Sequence, residues 1–117
     1  PTAAYIGKTM KTGIELITKE RTRQINEEGY TLALDSLYKP GELTSAAICY
    51  AIVGGSSPRI RESVNVQASM GLKPNGWPWG VESWKPGQDH SVNSRVRELT
   101  KAGALLDAEI DRLLNMQ

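Results

Sequence analysis

The chain has 117 residues, with 14 basic against 13 acidic side chains, a formal net charge of +1, one cysteine and one histidine. That length fits one small domain whose core has little surplus, so association through an apolar helix face would be a natural supplement. The near-neutral charge, without a block of like charges, argues against a grip on long nucleic acid; the lone Cys49 excludes an internal disulfide, and with the single His90 it cannot make a structural zinc cluster.

Such cysteine usage points to a cytoplasmic protein, and the longest apolar run, Ala46 to Val53, is too short to cross a bilayer. Residues 1–11 carry no amphipathic period and read as a flexible N-terminal arm ahead of a single all-α domain over residues 12–117. Thr12-Gly13-Ile14-Glu15 matches a capping box, in which the threonine oxygen and the glutamate carboxylate each take one unpaired N–H. It predicts a helix from about Gly13 to Glu28, stopped by Gly29 with Tyr30 as a contact across the stop. The apolar face of this helix (Ile14, Ile17, Ile25) is thin, and Glu20, Arg21, Gln24, Glu27 and Glu28 form its polar surface.

After a linker from Thr31 to Pro40, a second helix from about Gly41 to Val53 is rich in small residues, Ala46, Ala47 and Ala51, which permit close packing. Gly54-Gly55-Ser56-Ser57 ends it. Ser57 as cap and Pro58 as first helical residue then open a short third helix toward Met70, although Val64-Asn65-Val66 alternates as a strand would. From Gly71 to Asp89 the Gly and Pro content predicts a long irregular loop carrying Trp77-Pro78-Trp79 and Trp84-Lys85-Pro86. The last helix, Val92 to Leu114, repeats Val96, Leu99, Gly103, Leu106, Ile110 and Leu113 at steps of three and four, a stripe expected to be buried while the charged faces are wet. Glycine at position 103 costs roughly 1 kcal/mol of helix propensity, which close approach of a second backbone would offset. The predicted fold is a small all-α bundle of about four helices with a Trp/Pro/Gly-rich loop before the last.

Helical bundles build metal sites from inward-facing carboxylates, and Glu20, Glu27, Glu42 and Glu98 are the candidates here; the ordinary alternative is a solvated face with intrahelical pairs such as Glu98 with Arg95 or Lys101. The tryptophan loop is the stronger oddity. Trp77, Trp79 and Trp84 could stack on a base while Arg59, Arg61, Lys73 or Lys85 meets phosphate, or they could fold back as a lid over a core that has no phenylalanine. Cys49 lies on an apolar helix and suits the core, and His90 has no nucleophile elbow to serve, so it suits the start of the last helix.

Glu20-Arg21-Thr22-Arg23-Gln24 followed by Glu28-Gly29-Tyr30, then Gly41-Glu42-Leu43, Glu98-Leu99-Thr100-Lys101-Ala102 and Ala108-Glu109-Ile110-Asp111-Arg112, together resemble small phage and prophage proteins of the MazG-like type. These are related to the all-α nucleoside triphosphate pyrophosphohydrolases. The resemblance runs from about Ile14 to Leu114 and implies a helical fold in which a Glu-Glu-x-x-Glu motif and a later Glu-x-x-Asp motif hold magnesium on the substrate phosphates. Glu42 matches the last glutamate of the first motif, with Tyr38 and Lys39 where the other two belong. Glu98 opens the second motif, and Lys101 replaces its aspartate. With the carboxylates incomplete and a lysine added, a magnesium triphosphate site loses its electrostatic basis. The resemblance therefore implies a phage-type accessory protein, a homo-oligomer that binds a nucleotide, such as a host defence signal, without turnover and without a cofactor. Glu42 and Glu98 would line the pocket, with Trp77, Trp79 and Trp84 stacking and Arg59, Arg61 and Lys85 on phosphate. The rivals are a divergent magnesium-dependent pyrophosphohydrolase and a module that inhibits a host protein through the tryptophan loop.

Overall fold

The computed structural model describes residues 12–28 and 39–116. The expected arm, and the Gly29 stop with Tyr30, lie outside them. The described residues form α1 (Gly13–Glu28), α2 (Glu42–Gly54), α3 (Pro58–Ser69) and α4 (Val92–Asn115), with one 3₁₀ turn at Val81–Ser83. The all-α expectation holds, and the segment after Pro58 is a helix rather than a strand.

The helix starts follow local chemistry. At α1 the Glu15 N–H donates to Thr12 Oγ1 at 3.2 Å and the Thr12 N–H to Glu15 Oε1 at 2.8 Å, a reciprocal capping box. Gly41 enters α2 with φ +88°, a left-handed conformation that glycine adopts without a Cβ penalty. Ser57 accepts the Ile60 N–H ahead of Pro58, and Ser91 accepts the Ser94 N–H at the start of α4.

Packing departs from the sequence reading in two places. In α4 the expected stripe is the outer face: Val96, Leu99, Leu106, Ile110 and Leu113 are 40%, 44%, 45%, 55% and 49% exposed. The buried face instead carries Ala102, Ala104, Leu105 and Ala108, and α4 packs with it on Leu43, Ala46, Ala47 and Tyr50 of α2. Small side chains on both helices let the backbones approach, so the alanines win the core and the larger residues are left outside.

The second departure is α1, where three residues of the expected polar surface are buried while Glu27 stays exposed. Glu20, Arg21 and Gln24 are all at most 6% exposed, whereas Ile14 is open to solvent. This helix docks on α4 through charge: Arg97 donates to Glu20 Oε1 at 2.7 Å, and Arg21 faces Asp107 and Asp111 at 3.4 and 3.7 Å. The close approach at Gly103 comes from a side chain rather than a second backbone, since a Cβ there would lie 2.5 Å from Ile17 Cδ1.

A buried ion pair ties α3 and the loop to α4. Arg61 donates through Nη1 and Nη2 to the two oxygens of Glu98, 37 residues away in sequence, and both side chains are fully enclosed. The same guanidinium donates to the carbonyls of Val53 and Asp89 at 2.7 Å each and to His90 Nδ1 at 3.2 Å, while the Gly87 N–H donates to Glu98 Oε2 at 2.8 Å. Every donor direction of the guanidinium fork thus meets an acceptor.

Two outcomes follow for denaturation experiments. Glu98→Ala strands a buried guanidinium and should cost about 3–5 kcal/mol, whereas Arg61→Met combined with Glu98→Leu should cost markedly less, because an apolar pair leaves no uncompensated charge. Gly103→Leu should cost about 1–3 kcal/mol by overpacking against Ile17. Urea titration of the three variants beside the parent checks both.

Candidate functional site

Four aromatic rings form one wall between α2 and the loop. Trp84 stacks on Tyr50 with ring centroids 4.6 Å apart, and Trp77 meets Tyr50 and Trp84 edge-on at 5.5 and 4.9 Å. Trp79 meets the edge of Trp77 at 5.3 Å and is only half-buried. The loop is pinned in this shape: Trp77 Nε1–H donates to the Gly80 carbonyl at 3.0 Å, the Lys85 N–H donates to Tyr50 Oη at 3.1 Å, and Lys73 Nζ donates to the Trp79 carbonyl at 3.2 Å. The loop is irregular but well bonded, which is how so Gly- and Pro-rich a segment holds one shape.

Against this wall opens a cleft of about 240 Å³, lined by Glu20, Arg23 and Gln24 of α1, Tyr50 of α2, Trp77, Trp79, Ser83 and Lys85 of the loop, and Lys101 and Leu105 of α4. Lys101 Nζ lies 5.3 Å from the centre of the Tyr50 ring and donates to the Lys85 carbonyl at 2.7 Å, which keeps its charge at the cleft. The Glu20 carboxylate accepts from Arg23 Nε and Nη2, Gln24 Nε2 and Arg97 Nη1 at 2.7–3.1 Å. Burial by itself would push this carboxyl up, but the hydrogen bonds from Arg23, Arg97 and Gln24 and the Arg97 charge outweigh it and hold the pKa at about 2. Gln24 Oε1 is buried without a hydrogen-bond partner among the described residues.

A second, broader groove of about 600 Å³ runs between α1 and α4 past Lys19, Arg23, Asn26 and Arg97. It has no aromatic ring, so it offers charge without a stacking surface.

Of the residues expected to bind ligand, the fold brings Trp77, Trp79 and Lys85 to one cleft. Trp84 lies behind Tyr50 and is buried. Arg61 and Glu98 face each other in the interior rather than a pocket, so neither is available to phosphate or metal. Glu42 is at the start of α2, where its Oε1 accepts the Lys39 N–H at 2.9 Å, and Arg59 is exposed on the first turn of α3; neither lines the cleft. The tryptophans divide between the two roles weighed for them: Trp77 and Trp84 belong to the core cluster, and Trp79 is packed against it while lining the cleft. Cys49 is buried, with its thiol near the Asn75 carbonyl and its pKa raised by burial, which suits a core residue.

Sequence reasoning missed Tyr50, Gln24 and Lys101 as neighbours of the loop. The signal for Gln24 was its i, i+4 spacing from Glu20, which puts two groups able to hydrogen-bond on one helix face. Tyr50 had a signal too, a single ring in a helix of small residues. Among the described residues no cluster of three or more His, Cys, Asp or Glu side chains is arranged to hold a metal ion, and no helix is long and apolar enough to cross a membrane. Comparison with protein-family models, with curated proteins and with solved structures yields no match, so the functional reading rests on the chemistry of this cleft.

The Glu20 cluster makes a pH prediction. A carboxyl held at about 2 in the folded chain against an ordinary 4.5 contributes stability that is present above about pH 4.5 and lost as pH falls toward 2. The stability difference between the parent and Glu20→Gln should therefore shrink over that interval and stay flat from pH 5 to 8. Thermal melts across about pH 2.5–8 check the sign.

Proposed function

We propose that the chain binds a nucleotide, or a closely related phosphorylated small molecule, in the cleft between α1, α2, the tryptophan loop and α4, and does not turn it over. The observation that carries this reading is the juxtaposition, in one cleft, of the half-buried Trp79 ring with the cations Lys85, Lys101 and Arg23. A π face takes a base, and lysine ammonium groups take phosphate as point charges. At about 240 Å³ the cleft is smaller than a usual small-molecule pocket of roughly 300–1,000 Å³, so it suits the base, with the phosphates reaching outward past the lysines.

Binding without hydrolysis is supported by how the carboxylates are engaged. Glu98 neutralises Arg61, Glu42 accepts the Lys39 N–H, Glu27 is near Arg23, and Glu20 accepts from Arg23, Gln24 and Arg97, which holds its basicity low. A metal site or a general base would have to break one of these arrangements first. The likeness to MazG-like phage proteins extends the proposal to sequestration of a host nucleotide signal by a homo-oligomer, an extension by analogy. A protein-inhibiting loop is less favoured, because Trp77 and Trp84 point inward and only Trp79 is left to engage a partner.

Purified protein, denatured and examined by mass spectrometry, should release bound nucleotide, and calorimetric titration with a panel of nucleoside mono- and triphosphates should give saturable binding. Trp79→Ala should weaken it by about 1–3 kcal/mol with the fold intact. By contrast, Trp77→Ala and Trp84→Ala should each lower stability by about 3–5 kcal/mol. Incubation of a nucleoside triphosphate with magnesium should release no pyrophosphate. Robust release abolished by Glu20→Gln would move the reading to the pyrophosphohydrolase, and absence of binding to any member of the panel would end it.

A further inference from the structure

Gln24 of α1 is only 4% exposed, yet it lines the aromatic cleft. Its Nε2 donates to Glu20 Oε2 at 3.1 Å, while its Oε1 is buried with no hydrogen-bond partner among the described residues. Trp84 Nε1 is in the same condition, but Trp84 is not part of the cleft lining. A buried carbonyl without a donor forfeits the hydrogen bonding it had in water, and native folds seldom leave such a group without a reason. The amide has one workable orientation. Burial by itself favours the neutral form of Glu20, but the hydrogen bonds from Arg23, Arg97 and Gln24 hold its pKa at about 2, so at neutral pH the carboxylate is an acceptor only. A flipped amide would set Oε1 against that carboxylate and lose the bond. Nε2 is thus committed, and the group of Gln24 left wholly unpaired is the carbonyl, an acceptor. The last torsion of a glutamine side chain is broad, so a modest rotation turns Oε1 toward a ligand while Nε2 keeps Glu20.

Ser83, also in the cleft lining, adds to this bias. Its Oγ–H donates to the Gly80 carbonyl at 2.8 Å, which uses its only proton, and its Oγ accepts Trp77 Nε1–H at 3.3 Å, so what the hydroxyl has left is again a lone pair. We propose that the cleft selects a base carrying an exocyclic amino group, with Gln24 Oε1 as the acceptor that reads it, a specificity that rests on the nucleotide reading of the cleft given above. An amino N–H supplies the donor that Gln24 lacks. A keto oxygen at the same place sets lone pair against lone pair and leaves both groups unsatisfied, so the wrong base is penalised rather than merely bound less well. Trp79 offers a π face that any base can use, which gives affinity without choice. The choice comes from Gln24.

Two pairs of nucleotides test this, cytidine against uridine triphosphate and adenosine against inosine triphosphate, since the members of each pair differ at the base edge, amino against keto, and share sugar and phosphates. Calorimetric titration of the chain should find the amino member tighter by about tenfold or more in both pairs. Gln24→Leu, which keeps the bulk and removes the amide, should bring each ratio to about one. Gln24→Met serves in the same way should the leucine variant not fold. Because each ratio is taken on one preparation, the stability lost with the Glu20 hydrogen bond does not move it. Equal affinities within either pair on the parent overturn the proposal while nucleotide binding itself stands, and so does a preference for the amino member that survives both substitutions. Failure of all four nucleotides to bind ends the nucleotide reading and this specificity with it.

Discussion

Everything in the lower half of the molecule hangs on the buried pair of Arg61 and Glu98. A guanidinium taken out of water is tolerated only if each of its N–H directions finds an acceptor, and this one finds them on three pieces of chain: α2 at Val53, the end of the loop at Asp89 and His90, and α4 at Glu98. An apolar pair of the same volume could give equal or greater stability, so the merit of the ion pair is that it admits one geometry. Glu98 Oε2 takes the Gly87 N–H as well, and the C-terminal end of the tryptophan loop is thereby held against α4.

With that end fixed, the loop has little choice in how it returns to α3. Trp84 is set down on Tyr50, the Lys85 N–H finds the Tyr50 hydroxyl, and Trp77 closes the edge of both rings. Trp79 is the outermost member of the stack. It opens onto a cleft whose opposite side, the Glu20 cluster, is itself cross-linked by arginines from α1 and α4. A wall of packed rings and a floor of paired charges make a preorganised site, and preorganisation lowers the ordering cost of binding. The same rigidity disfavors chemistry, since the Glu20 carboxylate at the cleft is held in the charged form by its partners.

The local features of the fold were legible because they are local. Capping at Thr12 and Ser57 depends on residues within four positions of one another, and the starts of α1 and α3 follow from it. The orientation of α4 was not legible, because periodicity identifies the larger apolar stripe while packing is decided by which face lets the backbones come closest. Ala102, Leu105 and Ala108 make a weaker stripe by hydropathy and a better one by shape. The buried polar face of α1 was hidden for a related reason: Glu20 and Arg21 look solvated until their partners on α4, some 77 residues on for Arg97, are known. Glu98 did leave a trace, since it shares a helix face with Ala102 and Leu105 at i+4 and i+7, and a carboxylate in that row calls for a buried cation.

The central claim is that Trp79, alone among the three tryptophans, meets the ligand on a scaffold that does not rearrange. The indole N–H resonances of the three rings, assigned by single substitution to phenylalanine, report on each separately during titration with a nucleoside triphosphate. The account predicts a saturable shift of the Trp79 resonance with those of Trp77 and Trp84 changing far less. Three resonances that stay put at millimolar nucleotide, which would detect binding as weak as about 4 kcal/mol, or that move together, would contradict it.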